Sequence, residues 1–273
     1  MKSALMKHAL LLILVATAAV WLTPAICLAE PAGVRVNEKT ITEELKAQED
    51  PTIFTRRTWA DTEWNKYKDG SHDVDETLGL LWAWSVSENQ EWAVRLKVPL
   101  KLHIAGDTAG DSDNSGLGDI KLGTGTGFRL SDSWRTVVGV EMRFPSGTSN
   151  LGSKDWRLQL LGAVAWDVTQ SFTLSPSIEY NKSVAEKDGA VPQHYLEMYF
   201  PATFVLPRRW AVTARYEAKV DFENDDHWTH SAKFAVAKQL ERLPLGFQLA
   251  IKKAFDGGDK QFQINFVTTY SFR

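Results

Sequence analysis

The side chains able to do acid–base or electrostatic chemistry recur at alternate positions instead of gathering in one motif. From Glu91 to Ile104 the chain reads EWAVRLKVPLKLHI, where Arg95, Lys97, Lys101 and His103 interleave with an apolar row. Asp119, Lys121 and Arg129 do the same in LGDIKLGTGTGFRL, and Arg135, Glu141 and Arg143 in WRTVVGVEMRF. Asp155 and Arg157 follow in DWRLQLLGAVAWDV; Glu179, Glu197, Arg215, Glu217, Lys219 and Asp221 continue the pattern. A period of two puts each set on one face of a strand. Nucleophilic catalysis would need a base and a hydroxyl on a shared face. His230 and Ser231 are adjacent, so they point opposite ways. GTGTG at Gly123–Gly127 lies within a strand with no helix after it, which suits small lumen-facing residues better than a nucleotide loop. In GTSNLGSK, Ser153 and Lys154 stand in the wrong order for a phosphate loop. DSDNSG resembles half a calcium loop, but Leu122 occupies the place of the bidentate glutamate. No cofactor, metal or reaction is expected.

The elements that must position these charges follow from the whole chain. Lys2 and Lys7 precede the apolar run ALLLILVATAAVWL, and small Ala29 precedes Glu30. That is the layout of a secretory signal peptide over residues 1–29. Cys27, the single cysteine, falls inside it, so disulfide and thiol chemistry leave with the peptide. The formal net charge of −3 then becomes about −5, which gives no nucleic-acid footprint.

Residues 30–51 lack strand alternation. TITEELKAQE reads as a short polar helix in a periplasmic N-terminal segment, with a partial plug of a barrel mouth as the other reading. From 52 to 273 about twelve alternating segments recur, an even number, as single-chain bacterial barrels have. The links after even-numbered strands are tight: SENQ, SDS, TQ, PR and ERLP. Those after odd-numbered strands are mostly longer and polar, such as AGDTAGDSDNSG and KSVAEKDGAVPQ. Trp84, Trp92, Trp134, Trp166 and Trp210 lie in the apolar phase close to the tight links, as an interface girdle would. A soluble sandwich has no reason to sort loops by parity. The expected fold is therefore all-β: a transmembrane antiparallel up-and-down β-barrel with short periplasmic turns, longer external loops and its apolar rows toward outer-membrane lipid. The last strand ends YSFR, an aromatic finish of the kind read by barrel-assembly machinery, with Arg273 as a departure.

Three short motifs add a resemblance. Gly116–Asp119 (GLGD, with Ser115 before it), Pro145–Gly147 and Gly152–Trp156 occur in the order found in the outer-membrane transporter family named for the phenol-degradation meta pathway. The chain resembles that family in layout over most of the mature sequence. The resemblance implies a pore for small hydrophobic or aromatic compounds and carries no binding residue. The expected function is facilitated diffusion of a small-molecule solute through a charged lumen. A sealed structural or adhesive barrel with partner-binding loops is the alternative, and a lipid-modifying membrane enzyme the third reading. The basic residues Arg95, Lys97 and Arg135 are expected to cluster, with Arg143 and Arg157 further toward the outside.

Overall fold

The computed structural model describes residues 38–105, 113–148, 151–187, 189–241, 243–256 and 260–272. The expected signal peptide, the remainder of the segment up to residue 37 and Arg273 lie outside them. Fourteen strand segments form one antiparallel sheet: β1 (Arg57–Tyr67), β2 (His72–Ser87), β3 (Gln90–Ile104), β4 (Asn114–Leu117), β5 (Lys121–Arg129), β6 (Trp134–Arg143), β7 (Asp155–Asp167), β8 (Phe172–Leu174), β9 (Ser177–Glu186), β10 (His194–Leu206), β11 (Trp210–Asp221), β12 (His227–Gln239), β13 (Leu245–Asp256) and β14 (Lys260–Ser271). β4 with β5, and β8 with β9, are two interrupted strands, so the wall has twelve. β14 pairs with β1 from Arg57↔Ser271 to Lys66↔Phe262, and the sheet closes without an edge. No helix among the described residues is long and apolar enough to cross a membrane.

The alternation read from the sequence decides which face points where. Exposed large apolar side chains such as Leu80, Val94, Leu160, Phe204, Phe234 and Ile251 cover the outside. Glu76 interrupts this outward row of β2; it is buried and accepts a hydrogen bond from Thr62 beside it on β1. Around the short-turn end, Trp84 and Trp92 face each other across β2 and β3. Trp134 and Trp166 stack with ring centroids 5.5 Å apart, and Lys238 lies 5.0 Å from the ring of Trp210. All five are about two-fifths exposed on the outer surface.

Three local features differ from the sequence reading. β1 and β2 run further than expected and leave only residues 68–71 between them. Gly70 takes a positive φ there and Ser71 accepts a hydrogen bond from the Tyr67 amide. The fourth strand breaks at Gly118–Ile120 because Asp119 is used as a clasp. Its carboxylate accepts from the amides of Gly147 (3.0 Å) and Ser153 (2.7 Å) and from the Ser153 hydroxyl (2.6 Å). Gly147 and Gly152 approach so closely that a Cβ on Gly147 would stand 2.6 Å from the Gly152 Cα. The three motifs that carried the family resemblance thus meet at one clasp. The seventh strand is interrupted at Ser175–Pro176, where proline has no amide to give the ladder.

From Glu38 to Arg56 the described part of the N-terminal segment turns into the barrel. Helix α1 (Glu38–Lys46) places Ile41 and Leu45 one turn apart, and both are buried against Val205, Ala211 and Ala237 of β10, β11 and β12. Burying two such side chains contributes about 1.5–3 kcal/mol each. After the helix, Asp50 accepts from the amide and hydroxyl of Thr52 at 2.9 and 2.7 Å, which turns the chain toward β1. Phe54 then lies against Gly127 on the inner wall, where a Cβ would meet its ring at 3.4 Å.

Candidate functional site

The lumen is layered, and each layer follows from strand register. At the short-turn end sits the inserted segment, held by two ionic latches. Glu49 accepts from Arg215 Nη1 at 2.7 Å, Lys233 Nζ at 2.7 Å and Gln248 Nε2 at 3.0 Å. Arg215 also pairs with Glu217, which in turn pairs with Lys252. Burial pushes the Glu49 carboxyl up, but Lys233 and Arg215 together outweigh this and hold it below its ordinary value. The second latch is Arg135, which bonds Asp50 at 3.0 Å and pairs with Asp167; Lys46 reaches the same Asp167 at 2.8 Å. Arg135 is therefore an anchor for the segment and stands apart from Arg95 and Lys97, which corrects the expected basic cluster.

Above this lies a small apolar cavity of about 70 Å³ between Pro51, Phe54, Leu81, Ala93 and the glycine-rich strands β5 and β6. Gly123, Gly125 and Gly139 open it by leaving the inner wall bare, which accounts for the GTGTG stretch. Beside it Glu141, almost wholly buried, bonds Arg95 at 2.7 Å and Lys97 at 3.4 Å. On the neighbouring strand β7, Arg157 is held by Asp155 and by the Tyr195 hydroxyl at 3.2 Å, while Ser183 donates to Asp155. Glu179 and Glu197 are Cα partners on β9 and β10, with Gln159 and Tyr199 as their respective hydrogen-bond donors.

Toward the long loops the lumen widens into a cavity of about 510 Å³. One hydrogen-bonded row crosses its base: Trp59, Gly79, Lys97, Lys121, Arg143 and Arg157 are successive Cα partners around the wall. Trp59 can lie flat there because Gly79 has no side chain; a Cβ would fall 2.1 Å from the indole. Asp61, Glu63 and Asp75 line the side formed by β1 and β2, and Lys101 stands on β3 beside Asp75. Leu151, Gly152 and Ser153 of the clasped loop form the roof.

The remaining residues singled out from sequence fall at the rims. His103 bonds Asp73 at 2.5 Å near the external end, and Tyr67 donates to the same Asp73. Lys219 and Asp221 stand 4.0 Å apart on β11, with the Lys219 ammonium 4.0 Å from the Tyr195 ring. Arg129 is exposed at the short-turn end, away from the lumen centre, because β5 ends there. Asp119 borders the upper cavity, but its oxygens are taken by the loop clasp. Sequence reasoning missed Glu49, Asp50, Asp167, Lys233 and the acidic side of the upper cavity. Asp61, Asp73 and Asp75 do alternate in TWADTEWN and HDVDETL, a signal masked by the weak apolar row of β1.

The family model described as "Putative MetA-pathway of phenol degradation" matches residues 64–195. A search of curated proteins finds no match. Among solved structures, an outer membrane channel from Pseudomonas putida F1 superposes with a TM-score of 0.67 at 13% identity, covering 90% of this chain and 100% of that one. The NanC porin superposes at 0.53 with 10% identity, over 79% of this chain and 99% of that one. The CymD monoaromatic hydrocarbon channel gives 0.52 and 8%, over 89% and 95%. At such identities these neighbours speak to the fold. Residues 64–195 are thus similar to the family of that description, and the chain has the fold of a porin-like outer-membrane β-barrel.

Proposed function

We propose that the protein sits in the bacterial outer membrane as a channel through which small molecules diffuse along a charged lumen, without a reaction or cofactor. The observation that carries this reading is the charged upper cavity of about 510 Å³ beneath the long loops. A barrel whose interior served only as an ion-pair core would fill that volume with paired side chains, as the Glu141 and Glu217 clusters do lower down. The inserted segment 38–56 lies across the short-turn end and is the closing element on this reading. The channels among the structural neighbours, including the CymD monoaromatic hydrocarbon channel, agree with a small solute. Outside, the apolar face meets lipid, and the C-terminal strand β14, with Phe272 following it, is the segment offered to the barrel-assembly machinery.

Proteoliposome swelling in a neutral pentose tests the proposal. Permeation by the wild-type chain, increased when the segment's latch is removed by Glu49→Gln, is the expected result. Liposomes that stay impermeable with both proteins would leave the sealed structural barrel as the better account.

A further inference from the structure

We propose that the upper cavity is a binding site for a zwitterionic small molecule with an aromatic body, of the α-amino-acid kind; this deepens the channel reading and rests on it. The argument begins with charges left without partners. Lys101, Lys121 and Arg143 line the cavity, and none has an ion pair or hydrogen bond among the described residues. Asp75 is in the same position, and the hydrogen bond of Asp61 is a long one of 3.4 Å from Asn265. Lower in the lumen Glu49, Glu141, Asp155 and Glu217 each hold a cation at close range, and Glu179 and Glu197 meet each other with no cation paired to either among the described residues. The upper cavity is where the fold leaves charges of both signs unsatisfied.

Their arrangement is ordered. The acidic groups stand on β1 and β2, and the basic ones on β3, β5 and β6, so the boundary falls between two adjoining strands. At that boundary Asp75 and Lys101 are Cα partners. Cα atoms so paired are about 5 Å apart, yet the two side chains make no ion pair. Two opposite charges held side by side and aimed into one cavity match a headgroup carrying an ammonium next to a carboxylate. The carboxylate falls to Lys101, Lys121 and Arg143, and the ammonium to Asp75 and Asp61.

A simple anion would leave the two carboxylates uncompensated at a separation inside the Debye length, and a simple cation would face three like charges. Trp59 completes the site. It lines the cavity floor next to this boundary, and the bare Gly79 beneath it keeps its ring flat against the wall. A flat aromatic body stacks on such a ring with centroids 4.5–7 Å apart, the usual aromatic range of about that span. The volume of about 510 Å³ is within the range of small-molecule pockets.

The test uses the full mature chain in detergent and three probes of one shape: L-phenylalanine, 3-phenylpropionate and 2-phenylethylammonium. Calorimetry and Trp fluorescence report binding, and swelling of proteoliposomes in a neutral pentose reports the channel separately. The zwitterion is expected to bind at least tenfold more tightly than either singly charged probe. Asp75→Asn should weaken L-phenylalanine about tenfold and leave 3-phenylpropionate unweakened, as loss of one charge-assisted contact requires. Lys121→Gln should weaken both. Equal binding of the anion and the zwitterion, or no binding of any probe, overturns the site. Binding with this selectivity in a protein that passes no pentose supports the site and removes only the channel.

Discussion

Replacing Glu49 by Gln removes the charge that binds the inserted segment to three strands while keeping the side chain's shape. In the native protein the Glu49 side chain is 2% exposed and faces Arg215 and Lys233, each at 2.7 Å. Breaking a buried pair by removing one partner costs about 3–5 kcal/mol, because the surviving charge stays buried. Arg215 retains Glu217, so the lower end applies, about 3 kcal/mol, or roughly a hundredfold rise in the open-to-closed ratio of the segment. The apolar grip of Ile41 and Leu45, about 3–6 kcal/mol in sum, remains and keeps the variant folded. The pH dependence has a definite sign. Because the folded Glu49 titrates below its ordinary value of 4.5, its contribution is complete above that value. It is lost as pH falls through the lower, folded value. Single-channel recording in planar bilayers should therefore show longer or more frequent openings of the wild type only in the acid range below pH 4.5. Glu49→Gln should open at neutral pH and lose that dependence. Trypsin cleavage near Lys46 in detergent gives an independent reading, with faster cutting of the variant. Equal closed fractions and equal protease protection in the two proteins would refute the latch.

Four further outcomes follow from the geometry. Gly79→Ala sets a methyl 2.1 Å from the Trp59 ring and should cost about 1–3 kcal/mol in urea unfolding from vesicles, with a change in near-ultraviolet dichroism. Asp119→Ala removes three hydrogen bonds from the loop at Gly147–Ser153 and should make intact cells sensitive to external protease there, while the barrel keeps its heat-modifiable mobility on gels. Glu141→Gln leaves Arg95 and Lys97 uncompensated and should shift the reversal potential in a salt gradient toward anion selectivity. Trp134→Ala removes a stacked pair at the short-turn girdle; a loss of about 0.5–1.5 kcal/mol beyond the buried area is expected in vesicle unfolding, absent when Trp166 is already alanine.

The barrel was legible in the chain because membrane strands obey a local rule. Each residue's side is set by its parity, so Trp92 and Arg95 declare outside and inside without knowledge of their neighbours. Even the clasp left a local trace, since the glycines that must approach closely are fixed in the sequence at Gly147 and Gly152. Charge partners were not legible. Parity assigns Arg135 and Arg95 to the same lumen but is silent on height and azimuth, and register puts one on the inserted segment and the other on Glu141.

What the sequence by itself determined is the alternation, and with it the apolar exterior and the polar interior, because period two is a property of the extended backbone alone. Tertiary structure decided the rest. A polar segment with two apolar residues one turn apart, Ile41 and Leu45, has no preferred place until Val205, Ala211 and Ala237 are brought together by three strands. Glu49 becomes a latch only when closure of the barrel carries Arg215, Lys233 and Gln248 to it from far along the chain. The upper cavity likewise exists only because β1 and β2 meet β3 and β5 in one register, setting unpaired carboxylates beside unpaired cations. Those are long-range encounters, fixed by ring closure and shear, and no window of sequence contains them.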